Sequence, residues 1–105
     1  MTSVTCSPSL ADMRAAQADH LDRMKESLRE VDAKDVVPIL VARRVLQSFE
    51  MSKVYDQQSP HSQMDVLIEI LKTKLNWVGP MTDALIKNGK APIAQQLIKL
   101  QTERN

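Results

Sequence analysis

The sequence predicts an all-α fold, six antiparallel helices in one bundle, and three observations carry that expectation. Apolar residues recur at steps of three and four along most of the chain, the period of a helix with one buried face. Two glycines in 105 residues and the absence of β-branched alternation leave strands without a signature. Pro60, Pro80 and Pro92 stand where helices would open, at positions whose missing N–H costs nothing.

The first helix covers residues 10–31. Leu10, Met13, Leu21, Met24, Leu28 and Val31 form its apolar stripe, broken only by Gln17, and Ser9 is its N-cap with Asp12 three residues on. It is long for so small a domain, so a bend is expected. Asp35 as N-cap opens the second helix, 36–45, and places Pro38 at a position where an N–H has no intrahelical partner. Its buried side would be Val37, Leu40, Val41 and Val45. Ser48 begins a short third helix with Phe49, Val54 and Tyr55 as apolar contacts, closed by the polar run 56–59. Ser59-Pro60 opens the fourth, in which Met64, Leu67, Ile68, Leu71 and Leu75 keep the helical spacing. Gly79-Pro80 opens the fifth, ending at Asn88 with Gly89 as the left-handed residue beyond it. Ala91-Pro92 opens the sixth, with Ile93, Ala94, Leu97, Ile98 and Leu100 apolar. The domain spans residues 10–102, between a flexible leader, 1–9, and a tail, 103–105.

Composition narrows the function classes. Fourteen Lys and Arg against thirteen Asp and Glu leave +1, which removes the electrostatic case for nucleic acid or an acidic membrane surface. Aromatics at 3% are too few for a base-stacking platform. One cysteine, Cys6, cannot close an internal disulfide, and with two histidines it makes no metal inventory. Cys6 reads as a surface thiol, and His20 and His61 as solvated polar residues. No glycine-rich phosphate loop, HExxH or calcium loop occurs, so no catalytic residues, metal or cofactor are assigned and an enzyme is not expected. No apolar run approaches the roughly 20 residues of a membrane span. Arg43 and Arg44 end the second helix, where positive charge complements the dipole. A small helical DNA-binding regulator is the alternative from another class, but Glu50, Lys53 and Asp56 make a poor phosphate-contacting helix.

Three stretches resemble the caspase recruitment domain (CARD) of the death-fold superfamily. HLDRMKESLREVDAKDVVPILVARRVL is similar to the family's long helix followed by a helix ending in a basic-x-V-L step, here Arg43, Arg44, Val45 and Leu46, with Ser48 as the polar cap that follows. SQMDVLIEILKTK resembles its apolar fourth helix with trailing bases. NWVGPMTDALIKNGKAPIAQQLI resembles a pattern of A-L-x-x-x-G and then a short apolar helix, with Ala84, Leu85 and Gly89 in those places. Caspase-type members often follow Gly-Pro with two phenylalanines, whereas Gly79-Pro80 is followed here by Met81. Trp77, seven residues before Ala84, looks like the CARDs of antiviral RNA-sensing helicases and their mitochondrial adaptor; on its own terms it is a core or edge residue anchoring the connection between helices four and five.

The resemblance implies a six-helix antiparallel bundle of the death-fold type with a long, bent first helix. It implies non-catalytic homotypic binding in the cytoplasm to another CARD, on a caspase or an adaptor, in apoptosis or innate immunity, with homo-oligomers as one form. A decoy that caps other CARD assemblies is the alternative within the family. Helices one and four would merge their bases into one face, Arg23, Arg29, Lys72 and Lys74. The acids of helices two and three, Asp32, Asp35, Glu50 and Asp56, would form the opposed face.

Overall fold

The computed structural model describes residues 10–103, so the expected 1–9 leader, with Cys6 and the Ser9 cap, and residues 104–105 of the tail lie outside it. Among the described residues there are seven helices and no strand. They are α1 (Leu10–Arg23), α2 (Lys25–Leu28), α3 (Ala33–Ala42), α4 (Ser48–Tyr55), α5 (Pro60–Leu71), α6 (Val78–Lys87) and α7 (Ala91–Glu103).

The long first helix is bent as expected, interrupted at Met24 into α1 and α2. The bend keeps Leu21, Met24, Leu28 and Val31 all buried, which is the reason one apolar stripe survives two helical segments. The stripe does not extend to the start: Leu10 and Met13 are exposed, because α1 begins before it reaches the bundle. His20, read as solvated, is instead 5% exposed and faces inward beside Leu21.

α3 lies at the centre and packs against α4, α5 and α6. It starts three residues earlier than Asp35 would have started it. Asp32 is the N-cap, its carboxylate accepting the Lys34 N–H at 3.0 Å. Pro38 therefore falls inside the helix rather than in its first turn. The carbonyl it leaves without a donor is that of Lys34, and both residues are exposed, so water reaches the gap. The helix also ends earlier, at Ala42, through a Schellman closure. Arg44 N–H donates to Val41 C=O at 3.0 Å and Val45 N–H to Leu40 C=O at 2.8 Å, with Arg44 at φ +64°. Val45 and Leu46 are buried just beyond that turn.

α4 is capped by Gln47 rather than Ser48, and of its expected apolar contacts only Val54 is buried. Phe49 and Tyr55 point outward, and the Lys53 ammonium lies 5.7 Å from the centre of the Phe49 ring. α5 opens as expected: Ser59 Oγ accepts the Ser62 N–H at 3.0 Å and Pro60 is the first helical residue. α6 begins at Val78, two residues before Pro80, which still sits among the N–H groups that have no intrahelical acceptor. It ends with the same closure as α3, now with Gly89 at φ +75°: Gly89 N–H donates to Ile86 C=O at 3.1 Å and Lys90 N–H to Leu85 C=O at 2.8 Å. In α7 Ala94 and Leu97 are buried, but Ile98 is turned to solvent.

Trp77, Met64, Leu67, Ile68, Leu71, Met81 and Leu85 are fully buried with Val36, Val37 and Leu40, one continuous core under α3. Asn88 clamps the end of α6 to the start of α3, donating from Nδ2 to Asp35 C=O at 3.1 Å and to Ala84 C=O at 2.8 Å.

Candidate functional site

The charged side chains of α1, α2 and α5 meet along one flank. Lys72, at the C-cap of α5, places its ammonium 2.7 Å from Asp22 of α1 and 3.2 Å from Glu69 of its own helix. The hydrogen bond it donates to Asp22 is the main reason its pKa lies above the ordinary 10.5; burial opposes the shift and Glu69 adds to it. Arg29, just after α2, reaches Asp65 of α5 at 3.4 Å. Arg23 pairs with Asp19 one turn back at 2.9 Å and lines a cleft with Gln96, Lys99 and Leu100 of α7.

The two cross-links, Lys72–Asp22 and Arg29–Asp65, bridge α1 and the turn after α2 to α5 through side chains. The surface they make is a seam of alternating charge, not a run of bases, because Asp19, Asp22, Asp65 and Glu69 interleave with Arg23, Arg29 and Lys72. The pairs of Arg23 and Lys72 include at least one well-exposed partner, and pairs of that kind are worth about 0–1 kcal/mol, whereas Arg29–Asp65 is part-buried.

The acids distribute differently. Asp32, Asp35 and Asp56 are exposed at the start of α3 and the end of α4. Asp32 is engaged by its capping bond, whereas the carboxylates of Asp35 and Asp56 make no hydrogen bond or ion pair among the described residues. Glu50 and Lys74, assigned to opposite faces, are instead in contact at 3.0 Å, with side chains only 12% and 24% exposed. The physical reason is topological. α4 packs against α5, and the turn after α5 brings Lys74 back over the first turn of α4.

Glu50 has a second bond there, accepting the Gln47 N–H at 3.0 Å. Burial pushes its carboxyl up, but the Gln47 N–H, the Lys74 bond and the charges of Lys74 and Lys53 together bring it below the ordinary 4.5. Glu50 and Lys74 thus tie α4 to the end of α5. The spacing of Gln47 and Glu50 carries a capping signal in sequence; the Lys74 contact, 24 residues away, carries none. Nor was Arg43 expected to reach Asp83 of α6, which it does at 3.0 Å.

Among the described residues no group of three or more His, Cys, Asp and Glu side chains could hold a metal, and no helix is long and apolar enough to cross a membrane. The described residues offer charged rims on a helical scaffold.

Searches of curated proteins and of solved structures return no match. The family model for the caspase recruitment domain matches residues 16–100, from the middle of α1 to the body of α7. CARDs are non-catalytic interaction folds that bind other CARDs or related death-fold domains, and the helical bundle agrees with that architecture. On that match the chain belongs to the caspase recruitment domain family.

Proposed function

We propose that this CARD recruits or oligomerises signalling partners, a caspase or an adaptor bearing another CARD, in apoptotic or innate immune signalling in the cytoplasm. The observation that carries the proposal is the pair of exposed carboxylates, Asp35 on α3 and Asp56 at the end of α4, left without side-chain partners among the described residues. A basic side chain from a second domain can meet them at little desolvation cost. The basic contribution comes from Arg23, Arg29 and Lys72, of which Arg23 is held only by an exposed pair that exchanges at little cost on docking. Asp32 stands beside Asp35 and adds to the acidic rim while capping its helix. Glu50 and Lys74 hold each other, so they support the shape of the interface rather than its charge.

The test is a charge swap read by light scattering over a concentration series at low and high salt. Arg23→Asp and Asp35→Arg should each abolish salt-sensitive self-association, and a mixture of the two variants should restore hetero-assembly. Self-association of both single variants at the wild-type level would discard this pairing.

A further inference from the structure

The turn after α3 and the turn between α5 and α6 enclose a cleft of about 390 Å³, lined by Arg43, Arg44, Val45, Lys74, Leu75 and Asn76. Its charged lining is entirely cationic. Side-chain capping has little left to satisfy here, since three of the last four carbonyls of each helix are already taken by backbone donors. Ile39, Leu40 and Val41 accept from Arg43, Val45 and Arg44, and Ile68, Ile70 and Leu71 accept from Lys72, Thr73 and Lys74.

Three facts separate Arg44 from an ordinary surface base. It is exposed and makes no ion pair or hydrogen bond through its side chain among the described residues. It occupies a left-handed position, φ +64°, where the equivalent closure of α6 uses Gly89. A side chain there strains the backbone, so an arginine is the less stable choice for that turn. Its neighbour Arg43 is held only by an exposed pair with Asp83 and can be drawn away at little cost. Lys74 is neutralised by Glu50 at 3.0 Å, so it brings to the cleft a donor held in a set position rather than a further charge.

We propose that this cleft binds the phosphate group of a soluble phosphate ester. The choice of phosphate over carboxylate rests on the number of donor-bearing side chains. A planar carboxylate is served by one guanidinium fork, whereas a tetrahedral phosphate accepts from several directions at once. Here two arginines, a lysine and an asparagine, each a side chain with N–H donors, line one space. The site is independent of the homotypic reading, because it needs no second copy of the chain.

The experiment titrates the 105-residue chain with sodium pyrophosphate at constant ionic strength, at a concentration where scattering shows monomer, and follows backbone amide NMR shifts. Saturable shifts confined to residues 43–45 and 74–76 are expected. Arg44→Gly should weaken binding at least tenfold without lowering Tm, since glycine suits the turn. Charge reversal at Lys74 is a poorer variant, because it strands Glu50. Unsaturated drift, equal affinity in Arg44→Gly, or equal saturation by sodium acetate would overturn the proposal. Shifts produced by a DNA duplex and not by pyrophosphate would overturn it as well, in favour of nucleic acid.

Discussion

Arg44 and Gly89 occupy the same station in two copies of one turn, and their energetics should be mirror images. Arginine at φ +64° carries a left-handed penalty of about 1 kcal/mol that glycine escapes. Arg44→Gly is therefore expected to raise stability by about 0.5–1 kcal/mol. Gly89→Ala should lower it by about 1 kcal/mol; a Cβ there meets open space, so the cost is conformational rather than steric. Urea denaturation of both variants measures the two signs. Glu50 yields a second expectation. Its folded pKa lies below the ordinary 4.5, so the stability it contributes is complete above that pH and is lost as pH falls through the lower folded value. Thermal melts from pH 7 to pH 3 should show a steeper acid limb in wild type than in Glu50→Gln, and parallel limbs would refute the role assigned to the carboxylate.

Helix boundaries show how local signals compete. Asp32 and Asp35 are both acceptable caps, and a cap at Asp35 keeps Pro38 in the first turn. The chain uses Asp32, because beginning there turns Ala33, Val36, Val37 and Leu40 inward together, and burying that stripe outweighs one lost helical hydrogen bond on the solvent side. Asp32→Ala should cost about 1 kcal/mol, while Asp35→Ala, without a capping bond to lose, should be near neutral. A Tm drop of several degrees for the first and little for the second is the expected pair. α4 was legible in position but not in facing. In so short a helix Phe49 and Val54 are both apolar, and only the docking of α4 on α5 selects Val54 for the core.

At the scale of the whole molecule, a modest core around Trp77 holds the helices together. Trp77 is fully buried at the N-cap of α6, and its indole N–H has no partner among the described residues. Trp77→Ala should destabilise the domain by about 3–5 kcal/mol, a large share of what a domain this size has. Trp77→Phe should cost much less, since it keeps most of the volume and removes the unsatisfied donor. The midpoints of urea unfolding compare them; similar losses for both would place the indole N–H, not its bulk, at the centre of the effect. The charged rims belong to this scale too. Of the expected bases, Arg23, Arg29 and Lys72 each have a carboxylate beside them, supplied by Asp19, Asp65 and Asp22. Counting bases along helices could not reveal this, because two of the three partners come from another helix.

By itself the sequence determined that this chain is helical, that its long first helix is bent, and that Gly89 closes the helix before the last. Those properties follow from periodicity, capping chemistry and backbone conformation within a few residues, where the physics is local. The CARD resemblance, carried by the order of those segments, was legible for the same reason. Only the tertiary structure decided that His20 is buried, that Phe49 and Ile98 are not, and that Lys74 and Glu50 hold one another. Side-chain burial and cross-helix charge pairing depend on which faces meet after the chain has turned back on itself.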